Sequence, residues 1–145
     1  MHAPYTILLA EDNPGDVFLV RRALEKHSLP VRLIVVEDGQ AAIRFIDTAD
    51  SDVTADCPDL VLLDLNLPRA TGSRVLTRIR QSPRCADTPI IIITSSDSPL
   101  DRENSASLGA TGYFQKPGDL AGFMQLGRIV RDALENRTAV ANQAS

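Results

Sequence analysis

Short apolar runs alternate with stretches of helical periodicity along this chain, and no other feature restricts its fold as strongly. Five runs of strand length cover residues 5–10, 31–37, 59–64, 89–94 and 111–115. Apolar residues recur at helical spacing in residues 16–27, 38–49, 73–81, 100–109 and 117–136. Strands that alternate with helices in this way predict an α/β domain built on a parallel sheet.

The composition supports one domain. The chain has 145 residues, of which 43% are hydrophobic, and this is enough to bury a core. We expect a single domain over residues 1–136 and a flexible polar tail over residues 137–145. The net charge of −4 argues against direct nucleic-acid binding, which needs concentrated Lys and Arg. No apolar stretch approaches the ~20 residues of a membrane span, and no signal peptide is evident, so we expect a cytoplasmic protein.

The two cysteines, Cys57 and Cys85, lack the spacing of a metal site. Because thiols are kept reduced in the cytoplasm, the sequence favours two free thiols over a disulfide.

Asp64 follows the apolar run Leu60-Val61-Leu62-Leu63, which is typical of a strand buried on both faces. An ionised side chain at such a place costs several kcal/mol unless it reaches water, a partner or a metal. Ligands of open α/β sheets bind at the carboxyl ends of the strands. Asp64 is therefore either incidental or the reactive group of the protein.

Other polar side chains stand where neighbouring runs end. They are Glu11 and Asp12 after the first run, Asn66 beyond Asp64, Thr94 at the end of the fourth run and Lys116 after the fifth. Clustered carboxylates repel one another unless a cation joins them, and Mg²⁺ prefers oxygen ligands and bridges to phosphate. Asp64 could then be the nucleophile of an aspartyl-phosphate, with Thr94 and Lys116 on the phosphoryl oxygens.

Each group also has an ordinary structural interpretation when it is taken alone. Glu11-Asp12 fits a solvated loop, Thr94 a strand end, and Lys116-Pro117 a strand-to-helix turn. Tyr113 in a strand most often serves packing. These interpretations weaken only because the four strand ends share one edge of the sheet.

Four motifs, in this order and spacing, resemble the receiver domain of two-component response regulators over residues 5–134. The motifs are Ala10-Glu11-Asp12-Asn13, Leu63-Asp64-Leu65-Asn66-Leu67-Pro68 with Gly72, Ile93-Thr94-Ser95, and Tyr113-Phe114-Gln115-Lys116-Pro117. The resemblance implies a flavodoxin-like, doubly wound sheet of five parallel strands in the order 2-1-3-4-5.

The resemblance also implies roles for individual residues. Asp64 would accept a phosphoryl group from the phosphohistidine of a sensor histidine kinase, and Thr94 and Lys116 would contact its oxygens. Mg²⁺ would be held by Asp12 directly, by Glu11 largely through water, by Asp64 and by the backbone carbonyl of Asn66. Thr94 and Tyr113 would form a conformational switch, and the Lys116-Pro117 bond would be cis.

The output is expected to be a contact made by the domain itself, since residues 137–145 cannot hold a further domain. Phosphorylation would shift the face formed by the fourth helix, fifth strand and fifth helix. The segments at residues 11–16 and 65–68 further resemble stand-alone receivers paired with phytochrome-type kinases.

The last helical stretch carries an apolar arc roughly twice the ~100° stripe that a surface helix needs. We interpret its second face, Leu126, Ile129 and Ala133, as a homodimer interface. Phe18 lies off the core face of its helix and is either a partly exposed residue or part of a docking surface.

The alternatives are an aspartyl-phosphate phosphatase and a cofactor-binding protein. A haloacid-dehalogenase-like phosphatase needs a second Asp two residues after the nucleophile, where this chain has Asn66. A flavodoxin-type FMN binder needs a hydroxyl- and glycine-rich loop after the first strand, where Glu11-Asp12 would repel the phosphate.

Overall fold

The computed structural model describes the backbone of residues 4–144 and the side chains of residues 4–136. Its sheet has five parallel strands in the order β2-β1-β3-β4-β5. The strands are β1 Tyr5–Ala10, β2 Val31–Val36, β3 Leu60–Leu63, β4 Ile90–Thr94 and β5 Gly112–Gln115. The helices are α1 Pro14–Lys26, α2 Gly39–Ser51, α3 Gly72–Arg80, α4 Pro99–Ser107 and α5 Leu120–Ala144. The predicted α/β fold and strand order are confirmed.

Local capping sets where the helices begin. Asn13 caps α1 by accepting a hydrogen bond from the Asp16 N–H at 3.1 Å, and Pro14 occupies the first turn. The predicted start of the last helix at residue 117 is wrong, because Asp119 accepts the Gly122 N–H at 2.6 Å and the helix begins at Leu120. It continues past residue 136 to Ala144. The flexibility of residues 137–145 stays a prediction, since their side chains lie outside the described part of the chain.

Apolar side chains alternate between the two faces of the sheet and form two cores. Ile7 and Leu9 of β1 point to the core shared with α1 and α5, whereas Leu8 and Ala10 point to the core shared with α2 and α3. All four residues of β3 are fully buried. No helix in the described residues is both long enough and apolar enough to cross a membrane.

The wide apolar arc of α5 is used within the chain. Leu126 is fully buried in the core, so its assignment to a dimer interface is wrong. The physical reason is that α5 packs against both the sheet and α1, and two neighbours need a wider stripe than one. Contact with α1 is very close at Gly127, where a Cβ atom would lie 2.2 Å from the carbonyl oxygen of Ala23.

The expectation of free thiols is also wrong, because Cys57 and Cys85 form a disulfide. Cys57 precedes β3 and Cys85 precedes β4, and these strands are parallel neighbours. The loops that lead into them therefore meet at one edge of the sheet, and the two Cα atoms lie 5.6 Å apart, which is within the range that disulfides span. A sequence separation of 28 residues conceals this proximity.

Candidate functional site

The carboxyl-terminal edge of the sheet collects the predicted residues. Glu11 and Asp12 directly follow β1, and Asp64 directly follows β3. The register pairs Ala10 with Leu63, and the Asp64 N–H donates to the Ala10 carbonyl at 3.1 Å. The strand pairing therefore fixes the Asp64 backbone next to the loop that carries the other two carboxylates.

The three carboxylates form a cluster suited to a divalent cation. One oxygen from each of Glu11, Asp12 and Asp64 lies within 4.8 Å of the others. Glu11 and Asp64 are buried, with 1% and 6% of their surface exposed, whereas Asp12 faces solvent. An all-oxygen donor set with one open side fits Mg²⁺, which keeps several of its waters.

Lys116 is the positive centre of the site. Its Nζ lies 2.6 Å from Glu11 Oε1, 2.8 Å from Asp16 Oδ2 and 3.1 Å from Asp64 Oδ2. Burial disfavours the charged ammonium, but the hydrogen bond that it donates to Asp16 and the negative charges of Glu11 and Asp64 outweigh burial and hold the pKa of Lys116 above its usual range. The ammonium therefore stays charged and offsets part of the negative charge around it.

Glu11 carries the electrostatic cost of this arrangement. Its burial, opposed by Lys116 and reinforced by the negative charge of Asp64, raises the pKa of Glu11 to about 7. The contact of its Oε1 with Lys116 is an ion pair without hydrogen-bond angles, so that oxygen has no hydrogen-bond partner among the described residues. A buried carboxylate oxygen of this kind is suited to accept a cation or its water.

Both Asp64 oxygens have partners. Oδ1 accepts the Asn66 N–H at 3.0 Å, and Oδ2 accepts from Lys116. Asn66 thus lies beside Asp64 through its backbone, and the role of its carbonyl as a metal ligand stays a prediction.

The Lys116-Pro117 bond is trans, and no described peptide bond is cis, so the expected cis bond is wrong. The trans form is the intrinsically favoured one even before proline.

Thr94 and Tyr113 lie further out and share one neighbour. Thr94 is fully buried at the end of β4, and its hydroxyl accepts the Ser96 N–H at 3.3 Å. The Tyr113 hydroxyl donates to the Ser96 carbonyl at 3.0 Å. The Arg102 guanidinium lies 4.5 Å from the centre of the Tyr113 ring, a cation–π contact. Ser96 therefore connects the two predicted switch residues through its two backbone groups.

Asp16 and Ser96 are functional candidates that the sequence analysis missed. Asp16 lies in the first turn of α1, and Lys116 follows β5 at a sequence separation of 100 residues. Asp16 is the fourth residue after Asp12, but an acid in a first helical turn is common because it suits the helix dipole. That ordinary explanation hid its contact with Lys116.

A comparison with known families decides the class of protein. Residues 7–126 match the family described as the response regulator receiver domain. The chain belongs to this family. The receiver prediction is confirmed, and it is favoured over the phosphatase and FMN-binding alternatives.

Individual receivers are similar over most of their length. Response regulator Rcp1 of Synechocystis sp. is 35% identical over 117 residues, which cover 81% of this chain and 80% of Rcp1. The structure of the phosphorylated cyanobacterial phytochrome response regulator RcpA is 31% identical, with a TM-score of 0.80 over 90% of this chain and 93% of RcpA. The Mn²⁺-bound form of Rcp1 is 32% identical, with a TM-score of 0.78 over 88% of this chain and 91% of Rcp1. A divalent cation in that relative agrees with the acidic cluster of this receiver.

Proposed function

We propose that Asp64 of this receiver accepts a phosphoryl group from the phosphohistidine of a sensor histidine kinase in a Mg²⁺-dependent reaction. The observation that carries the proposal is the position of the Asp64 carboxylate. It lies inside the acidic cluster and is held by Lys116 on one oxygen and by the Asn66 N–H on the other. The similarity to RcpA and Rcp1 supports a phytochrome-type kinase as the donor.

The reaction exchanges one bond for another. An Asp64 oxygen forms a bond to phosphorus while the P–N bond of the phosphohistidine breaks, and the imidazole nitrogen keeps the electron pair and takes up a proton. Mg²⁺, held by Asp12, Asp64, the Asn66 carbonyl and Glu11, would offset the negative charge of the phosphoryl oxygens. Lys116 is already 3.1 Å from Asp64, so its charge is in place before the transfer. Transfer of this kind, together with slow loss of the group to water, requires no separate enzymatic site.

Ser96 provides a physical route from the phosphoryl group to the signalling face. If the Thr94 hydroxyl turns to donate a hydrogen bond to a phosphoryl oxygen, it no longer accepts the hydrogen bond from the Ser96 N–H. The Ser96 carbonyl holds the Tyr113 hydroxyl, so movement of this loop releases the ring. The change would alter the face formed by α4, β5 and α5 and shift the population between two packings.

Intact mass measurement tests the acceptor. We expect incubation with acetyl phosphate to add one phosphoryl group in the presence of Mg²⁺ and none after chelation. The adduct should be absent in Asp64→Asn and unchanged in Asp132→Asn, which alters an exposed aspartate of α5. An adduct that survives in Asp64→Asn would show that another residue is the acceptor.

We also propose homodimerisation through α5, now restricted to its exposed residues. Ile129 is 39% exposed, and Ala133, one turn further along the same face of α5, is half-buried. Contiguous exposed apolar surface often marks a contact site. Sedimentation should show a dimer that Ile129→Glu dissociates, whereas equal sedimentation of both proteins would refute the interface.

A further inference from the structure

Lys116 is held by a carboxylate from outside the acidic cluster. Its Nζ donates a hydrogen bond of 2.8 Å to Asp16 Oδ2, which is shorter than the 3.1 Å bond to Asp64 Oδ2. Asp16 belongs to α1, so the contact ties the first helix to the loop that follows β5. Lys116 has a side chain that is only 9% exposed, and the Asp16 side chain is 23% exposed, so the pair is shielded from much of the solvent that weakens surface ion pairs.

The local structure of α1 fixes the position of the Asp16 carboxylate. The Asp16 N–H is bound by the Asn13 side chain, and Pro14 restricts the backbone before it. The first turn of α1 is therefore rigid, and Asp16 extends from it toward the sheet edge. A lysine stem has four rotatable bonds and loses much conformational entropy when it is fixed. Because the Asp16 carboxylate already fixes the ammonium of Lys116, less side-chain conformational entropy is lost during the reaction.

The three ion-pair partners of Lys116 differ in what phosphorylation does to them. Asp64 loses its carboxylate charge when it forms the acyl phosphate, and Glu11 would turn toward the cation. The proposed reaction leaves Asp16 unchanged, because it is neither the acceptor nor one of the assigned metal ligands. Its contact with Lys116 is therefore the one that can persist throughout the transfer.

We infer that Asp16 is a positioning residue for phosphoryl transfer, which holds the Lys116 ammonium at the site while the other partners of Lys116 change. This inference rests on the proposed function of Asp64. The helix-dipole interpretation of Asp16 explains a first-turn acid but does not explain why its side chain contacts Lys116 at 2.8 Å. The two interpretations differ in whether Asp16 is coupled to Lys116.

The kinetic test compares Asp16→Asn and Asp16→Ala with wild type. Asparagine keeps an acceptor oxygen without the charge, and alanine removes both. At saturating Mg²⁺ we expect uptake from acetyl phosphate to slow by roughly tenfold in Asp16→Ala and by less in Asp16→Asn, since a charge-assisted hydrogen bond is worth about twice a neutral one. The dissociation constant of Mg²⁺ should change by less than about threefold, because Asp16 is not a ligand.

Asp101→Asn is the matched control for Asp16→Asn. Asp101 occupies the corresponding place in the first turn of α4, after a capping serine and a proline. Its carboxylate also accepts the Ser96 hydroxyl at 2.6 Å, and asparagine keeps an oxygen for that hydrogen bond. The substitution therefore removes a comparable first-turn charge without touching Lys116. An Asp16→Ala rate within about twofold of wild type, a faster rate, or an equal slowing in Asp16→Asn and Asp101→Asn would overturn the inference.

A second measurement separates this inference from the proposed function. The measurement is a double-mutant cycle of Asp16→Asn and Lys116→Gln, with urea unfolding of the metal-free protein as the readout. No phosphoryl transfer takes place under these conditions. We expect the two substitutions to be coupled by about tenfold in the unfolding equilibrium constant. Additive effects would refute the positioning contact, whatever the phosphorylation result. Coupling without any wild-type phosphorylation would instead place the failure in the proposed function.

Discussion

Lowering the pH from 8 to 6 should weaken Mg²⁺ binding about tenfold, because Glu11 must lose a proton before it can take part. The metal-free site raises the pKa of Glu11 to about 7, mainly through burial. The carboxylate is then about 0.9 ionised at pH 8 and about 0.1 ionised at pH 6. The ratio of these fractions gives the factor of about ten, which corresponds to about 1.4 kcal/mol of binding free energy.

The same pKa gives the sign of a stability change. The unfolded chain loses the Glu11 proton near its ordinary pKa of 4.5, whereas the folded, metal-free protein keeps it to about 7. The folded state therefore binds more protons between these values, and its stability should fall as pH rises through that window. Mg²⁺ should restore stability most strongly at the upper end of the window, where the carboxylate is ionised.

Titration calorimetry is the suitable assay, because the chain contains no tryptophan to report binding by fluorescence. Repeating the titration in two buffers with different ionisation enthalpies counts the protons released. We expect about 0.9 proton per Mg²⁺ at pH 6 and about 0.1 at pH 8. Glu11→Gln should bind Mg²⁺ with little dependence on pH over this range. Proton release that persists in Glu11→Gln, or none at pH 6 in wild type, would refute the reasoning.

Two stability predictions follow from packing and chain connectivity. Reducing the Cys57–Cys85 disulfide opens a loop with a sequence separation of 28 residues and should lower the free energy of unfolding by about 3–4 kcal/mol on the loop-entropy model; equal urea midpoints before and after reduction would contradict it. Gly127→Ala should destabilise the protein by roughly 1–3 kcal/mol, because its Cβ would lie 2.2 Å from the Ala23 carbonyl oxygen. The control is Gly118→Ala, whose Cβ would have no neighbour within 4 Å and which should be near neutral in thermal unfolding.

The positions of the strands could be predicted from sequence because their signals are local. The apolar run before Asp64 and the alternation of runs and helices each lie within a short window, and the parallel arrangement then places four strand ends at one edge. The acidic cluster of Glu11, Asp12 and Asp64 follows from that arrangement. Its prediction needed no side-chain contact to be known in advance.

The errors concern contacts between elements that are distant in sequence. Leu126 was assigned to an interface because an apolar arc shows how much of a helix is covered but not what covers it. Asp16 received no functional role from the sequence, because an acid in a first helical turn is common and its partner is 100 positions away. In both cases a local explanation was sufficient, so no signal in the sequence pointed to the contact with the distant element.

The charges of the site couple the cation to the phosphoryl group. The carboxylates of Glu11, Asp16 and Asp64 contact the ammonium of Lys116, and Asp12 adds a further carboxylate to the acidic cluster. Phosphoryl oxygens that arrived alone would add negative charge to a site that already raises the pKa of Glu11. The acyl phosphate carries two negative charges where the Asp64 carboxylate carried one, so phosphorylation adds one negative charge that a divalent cation offsets, and each should favour the other. Mg²⁺ should therefore bind more tightly to the phosphorylated receiver than to the unmodified one, and chelation should destabilise the phosphorylated state.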